Sequence, residues 1–234
     1  MIKRRLNSFL SIPTKKLTMN RHWLFVVAFV LALVSCNDGS EKTYWENGKL
    51  KSVLRYQDGK LNGECRWYYS DGKLLMQAEY QDDMKNGHLV RWHQNGILEE
   101  DCWYKAGQLD SVCRSYAANG TLIAETHYDD GKLNGDYRKW YDNGQLFQEG
   151  QYKEGMMDGD WYIFYPEGQL ASMAHYDKGK GKQTGYDEMG CKIMEVTYLD
   201  NKKHGKEIRY APNGTVLQEV DYEYGKIVSE TPLQ

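Results

Sequence analysis

Tyr128-Asp129-Asp130-Gly131-Lys132-Leu133-Asn134-Gly135 runs through Asp136-Tyr137-Arg138-Lys139-Trp140 to Tyr141-Asp142-Asn143-Gly144-Gln145-Leu146. This stretch decides the fold because it recurs. Counting from Gly48, glycines stand at 72, 96, 120, 144 and 168, each 24 residues after the last. The next step is 22 residues, to Gly190, and the final one is 24, to Gly214. Five of these eight glycines follow an asparagine. Tyr56, Tyr80, Tyr104, Tyr128, Tyr152, Tyr176, Tyr198 and Tyr222 each come eight residues after their glycine. A second glycine recurs at Gly63, Gly87, Gly135, Gly159 and Gly205; Ser111 and Gln183 stand where the count places it in two other units. A fixed period of this kind marks a repeat architecture.

Each unit holds two strands and two turns. Leu146, Gln148, Gly150 and Tyr152 alternate with Phe147, Glu149 and Gln151, and Leu122 to Tyr128, Leu74 to Tyr80 and Leu170 to Tyr176 repeat the alternation. Period two predicts a strand with two distinct faces. The sister strand is aromatic, as in Tyr137 to Tyr141 and Trp161 to Tyr165, and such residues suit a pleated, half-buried surface. Asp58-Gly59, Asp130-Gly131 and the Asn-Gly pairs supply residues that tolerate the positive φ of tight hairpin turns. The predicted fold is all-β: an elongated, single-layer antiparallel sheet or solenoid of about eight tandem hairpins over 44–228. About 16 strands at ~4.8 Å would span roughly 75 Å. A short tether is expected over 37–43 and a tail over 229–234.

The first 36 residues read differently. They carry six basic side chains and no acidic one, then an apolar run from Trp23 to Val34. That is a secretory signal, expected as an N-terminal helix, and its apolar run is shorter than the ~20 residues of a spanning helix. Met19 is a plausible start for a signal of ordinary length. Leu33-Val34-Ser35-Cys36 resembles the bacterial lipobox, which implies cleavage before Cys36 and a diacylglycerol on its thiol. The expected location is the cell envelope, lipid-anchored to a bacterial membrane; in a diderm this is the outer membrane, on its periplasmic or surface face. Beyond residue 36, 24 basic side chains face 33 acidic ones, a formal charge of −9. An acidic body disfavours nucleic acid and anionic lipid surfaces. The basic stretch Lys178 to Lys182 falls in the 22-residue unit and reads as an irregular solvated loop.

Chemistry is sparse. Cys65 and Cys113 occupy one repeat position two units apart, beyond disulfide reach. Cys102 and Cys113 share a hairpin, which leaves a diagonal disulfide or free thiols open. The histidines, His22, His88, His93, His127, His175 and His204, fall in no metal-ligand spacing. The Gly-rich stretches at 58–63 and 130–135 recur with the hairpins and precede no helix, so they are turns and not phosphate loops. No catalytic residue, metal site or cofactor is expected, and the chain is expected to be a monomer. The one suggestive set is distributed: Trp67, Trp92, Trp140, Tyr141, Trp161, Tyr162 and Tyr165 recur on the aromatic strands. They are either an exposed ladder of rings, suited to sugars or peptides, or the sheet's own packing.

The pattern Tyr-x-x-Gly-Lys-Leu-x-Gly, an aromatic strand, then Asn-Gly-x-Leu, seen at 128–146 and nearly repeated at 56–74, resembles the MORN-repeat variant family of the YwqK type. The resemblance covers about 44–228 and departs at Ser111 and across 177–187, where the third and sixth hairpins are expected to be distorted. It implies a β-hairpin array and says little about function. Membrane association and protein scaffolding are linked to such repeats, and an antitoxin-like label is common among proteins of this type. The leading expectation is a non-catalytic, lipid-anchored scaffold that binds a protein partner. Binding of a cell-wall or surface glycan, and an antitoxin or immunity role, are the alternatives.

Overall fold

The computed structural model describes residues 39–231. The expected signal segment, Met19, Cys36 and residues 232–234 lie outside them. The described chain is all-β. Its strands are β1 (Ser40–Tyr44), β2 (Leu50–Gln57), β3 (Lys60–Leu61), β4 (Gly63–Tyr68), β5 (Leu74–Gln81) and β6 (Met84–Trp92). Then come β7 (Leu98–Lys105), β8 (Gln108–Tyr116), β9 (Leu122–Asp129), β10 (Lys132–Trp140), β11 (Leu146–Lys153) and β12 (Met156–Phe164). The last are β13 (Leu170–Asp177), β14 (Lys180–Tyr186), β15 (Lys192–Leu199), β16 (Lys202–Tyr210), β17 (Val216–Glu223) and β18 (Lys226–Glu230). They form one 18-stranded sheet in which sequence neighbours pair antiparallel, with β1 and β18 at its open ends.

Two boundaries differ from expectation. The tether expected over 37–43 is strand from Ser40, which pairs with Arg55 of β2. Residues 40–44 are the second half of an aromatic strand, and Gly39, at φ +71°, takes the place of its recurring glycine. The expected tail begins later than 229, because Ser229 and Glu230 lie in β18 and the Thr231 amide donates to Glu219 O at 2.9 Å.

The two turns of a unit are of different kinds. Eight two-residue turns have positive φ at both positions, as in Asp130 (+43°) and Gly131 (+80°). These are type I′, whose twist matches that of the flanking strands. The Asn-Gly pairs do not make this turn. Their loops run five residues between strands, and only the glycine has positive φ. The asparagine side chain serves instead as an acceptor: the Gln145 amide donates to Asn143 Oδ1 at 3.0 Å. An Asx arrangement of this sort stabilises the chain reversal locally.

The recurring second glycine marks a bulge. In the β9–β10 hairpin, Leu133 pairs with Tyr128 but Tyr137 pairs with Thr126, so two extra residues are accommodated around Gly135. The shift recurs in the hairpins β5–β6, β7–β8, β11–β12 and β15–β16. Successive turns are also tied edge to edge. The Gly131, Gly155 and Gly179 amides donate to Leu109 O, Leu133 O and Met157 O at 2.7–2.8 Å. Each repeat therefore contacts its neighbour through strand ladder and turn alike, the nearest-neighbour logic of a repeat array.

Candidate functional site

The pleat separates two surfaces. On the first, a row of mutually paired residues crosses the sheet: Cys65, Ala78, Leu89, Cys102, Cys113, Thr126 and Tyr137 lie opposite one another in turn. Beyond Gly150 the row continues through Trp161, Ala174, Gln183, Val196, Glu207 and Val220. Most of the buried side chains belong to this row. The recurring tyrosines flank it. Trp161 meets Tyr137, Tyr152 and Tyr176 at centroid distances of 5.6, 4.9 and 6.4 Å, and Tyr176 meets Tyr198 at 5.6 Å. Burial pushes the Tyr176 phenol well above the ordinary tyrosine range. Burial also pushes the Glu207 carboxyl upward, but bonds from Lys203 and Arg209 outweigh it and hold the group below its usual value.

The seven ring residues singled out in the sequence do not form one exposed ladder. Trp161 is only 4% exposed and its indole N–H donates to Gln151 O at 3.2 Å, so it is core. Trp67 packs obliquely on Tyr80 at 6.1 Å. Tyr141 and Tyr165 sit at the turn edge, where their hydroxyls donate to Phe164 O and Tyr186 O of the next unit at 2.8 and 2.7 Å. Trp92 and Trp140 are half-buried opposite Leu98 and Leu146, at strand ends where the register shifts. Tyr162 follows Trp161 along a strand and so points to the second surface.

The second surface is polar. Arg114 meets Glu125 at 2.7 Å, and Arg138 contacts Glu125, Asp136 and Glu149 at 3.5, 3.2 and 3.7 Å. Hydrogen bonding to Lys182 leads the effects that lower the Glu195 carboxyl below its usual range. Half-exposed pairs of this kind each contribute at most about 1 kcal/mol. A hollow of about 350 Å³ opens between β10, β11 and β12 beside Gly159, which carries no side chain; Asp136, Arg138, Glu149, Gln151, Asp160 and Tyr162 line it. Every described histidine is engaged within the array. His88 and His175 bond Asp101 and Asp160 at 2.6 and 2.7 Å, His93 bonds Tyr116 O at 2.8 Å, His127 bonds Asp136 O at 3.0 Å, and His204 Nδ1 accepts from the Tyr224 amide at 3.4 Å.

Cys102 and Cys113 are joined as a disulfide with Cα atoms 4.1 Å apart. They stand directly opposite and not diagonally. The two bulge residues are the reason: counted around the Ala106-Gly107 turn without a bulge, Cys102 would face Ser111. Cys65 is a buried thiol whose Sγ accepts from the Arg55 amide at 3.4 Å, and burial pushes it above the ordinary range. The carboxylates of Asp110, Asp129 and Asp130 converge at a turn edge, but Asp130 is already engaged by Lys105 at 3.3 Å.

Sequence reasoning missed one residue on the second surface. Trp103 is the only tryptophan among the exposed large hydrophobic side chains of the described residues, at 47%. It lies on the strand that is not aromatic, directly before the recurring Tyr104. The same position elsewhere holds Arg55, Glu79, His127, Gln151, His175, Thr197 and Asp221. A tryptophan in a polar row was the available signal.

A family model described as MORN repeat variant matches residues 37–58, 61–82, 109–130, 133–154, 157–178 and 203–224, together more than half of the chain. The hairpin that lacks a bulge, β13–β14, runs out of the matched blocks at 179. No curated protein matches the chain. Solved structures with partial likeness include a TcdB2-TccC3 crystal structure, at 11% identity and a TM-score of 0.17 over 77% of this chain and 14% of that one. The Photorhabdus luminescens Tc holotoxin pore with TccC3-D651A has 11% identity and a TM-score of 0.17 over 82% of this chain and 15% of that one. The chain thus spans well under a fifth of each of these proteins.

Proposed function

The chain belongs to the MORN repeat variant family, and from that premise we propose that it is a non-catalytic interaction module of the bacterial cell envelope, anchored by a diacylglycerol on Cys36. The observation that carries this reading is the Cys102–Cys113 disulfide. Disulfides persist in oxidising compartments and are rare in the cytosol, so a bridge inside the array agrees with export by the basic, apolar leader. The role of binder and not catalyst is supported by the deployment of the titratable groups. The described histidines are held in bonds that join neighbouring strands or turns, and the buried Glu207 is held by Lys203 and Arg209 of its own strand. An open sheet with a polar surface presents many similar positions to a partner and leaves its specificity to the exceptions.

Metabolic labelling with a radioactive or clickable fatty acid tests the anchor. The wild-type chain should take up label and fractionate with membranes, and Cys36→Ser should do neither. Label retained by Cys36→Ser would show that the anchor lies elsewhere. Pull-down with the mature chain should recover a reproducible envelope partner.

A further inference from the structure

We infer that Trp103, stacked on His88, is a platform for the ring of a bound sugar. The inference rests on the reading of the array as a binding module, and it does not depend on the lipid anchor.

The platform comes from a rule that the array otherwise follows. On the second surface, the residue before each recurring tyrosine leans over the bulge glycine of the next strand. A Cβ placed at Gly63, Gly135 or Gly205 would lie 3.6 Å from Arg55 Cδ, 3.1 Å from His127 Cβ and 2.9 Å from Thr197 Oγ1. Glu79 covers Gly87 in the same way, and Gln151 reaches the site over Gly159 at 3.9 Å. In the third hairpin that site belongs to Ser111, which has a side chain of its own. Trp103 turns back instead and stacks on His88 of the preceding strand, with centroids 4.7 Å apart and planes 16° apart. His88 is held by Asp101, two residues along the strand from Trp103 on the same surface, at 2.6 Å. The sixth hairpin has no bulge, and there His175 likewise turns back, to Asp160 at 2.7 Å. The loss of one glycine thus stands a flat indole on a braced imidazole and leaves its outer part open to solvent.

The surroundings select the ligand. An exposed aromatic ring can anchor a protein, stack on a nucleic-acid base or carry the C–H face of a pyranose. A protein hot spot is an anchor at the centre of a closely packed, fully desolvated patch. Here the same surface carries His88, Asp101 and, opposite Asp101, Arg114. A nucleic acid would bring phosphates to a chain with 24 basic and 33 acidic side chains beyond residue 36. A sugar meets neither objection. Its C–H groups, which carry partial positive charge, favour the electron-rich indole face, and its hydroxyls can donate to the second oxygen of Asp101.

Calorimetric titration of the mature, lipidated protein in detergent with chitotetraose, and separately with maltotetraose, tests this. Saturable binding of at least one sugar is expected, and the preferred one separates an N-acetylated wall-type backbone from an α-glucan. Trp103→Gln, which installs the residue found at Gln151, should keep the far-ultraviolet circular dichroism of the parent and weaken binding about tenfold. Ser111→Gly should also weaken it, because the indole can then lie down over residue 111. Trp140→Phe should bind as the parent does. Heat from neither sugar, or binding unchanged in Trp103→Gln, overturns the proposal. Loss of the lipid label in Cys36→Ser with sugar binding intact leaves it standing, so the two readings fail separately.

Discussion

The β7–β8 and β13–β14 hairpins depart from the repeat at the same counted position, yet they solve different problems. In β7–β8 the glycine is replaced and the bulge is kept. Ser111 adopts φ +70°, and the ladder skips between Cys102 and Tyr104 as it does in the glycine-bearing units. In β13–β14 the bulge itself is gone. Pairing runs without a break from Asp177–Lys180 to Ser172–Gly185. The glycine is not missing there. Gly181 pairs with Tyr198 as Gly135 pairs with Tyr152, so the glycine sits two residues earlier than counting placed it, and Gln183 lies in the core row opposite Ala174 and Val196. The expected distortion therefore holds for the sixth hairpin and not for the third. The number of residues between turn and ladder, more than the glycine, determines whether a bulge forms; glycine lowers the cost of the left-handed residue within it. Where the hairpin is shorter, the array closes up. Asn201 stands in place of a turn glycine, and its side chain reaches past Gly179 to accept from the Met157 amide at 2.8 Å and donate to Gly155 O at 2.9 Å.

The contrast can be tested in both hairpins. The largest effect is expected where the bulge brings two thiols together. Replacing Cys102 and Cys113 by alanine should destabilise the array by about 2–3 kcal/mol, the value for a short closed loop. Urea unfolding with and without reductant reads this, and a parent insensitive to reductant would mean that the bulged register does not close the bridge in solution. Next comes Gly181→Ala. A Cβ there would run into the His175 carbonyl oxygen and come within 2.6 Å of Tyr176 Cδ1, beside the buried cluster of Trp161, Ala174 and Tyr176. Overpacking of this sort costs about 1–3 kcal/mol, and a fall in the urea midpoint near zero would show that the unbulged hairpin has room to spare. The smallest effect carries the opposite sign. Ser111→Gly should raise stability by up to about 1 kcal/mol by relieving a left-handed serine, with a blue shift in tryptophan emission as Trp103 is covered. A destabilised Ser111→Gly would mean that the serine side chain holds the bulge and does not merely endure it.

Much of the fold was legible because its signals are local. Alternation from Leu146 to Tyr152 reports strand and face together, and Asp130-Gly131 reports a tight turn. The Asn-Gly pairs misled because the identity of a turn depends on how many residues lie outside both ladders, and a dipeptide does not disclose that number. The ring residues misled differently. Trp161 and Tyr162 are neighbours, and alternation alone sends them to opposite surfaces, one into the core beside Tyr152 and one into the hollow beside Arg138. Trp103 escapes the aromatic pattern because it is an exception on the polar strands, where the period assigns no ring.

The sequence by itself determined the period, the all-β character, the alternation of surfaces and the tyrosines that line one of them. These follow from steric preferences that each residue carries whatever lies beside it. Only the tertiary structure decided who faces whom: Cys113 opposite Cys102, Gln183 in the core row, and Trp103 turned back onto His88. The physical reason is that register belongs to a pair of strands. It depends on every residue inserted or lost around the turn between them, and a shift of two leaves each strand's own alternation unchanged while replacing all of its partners.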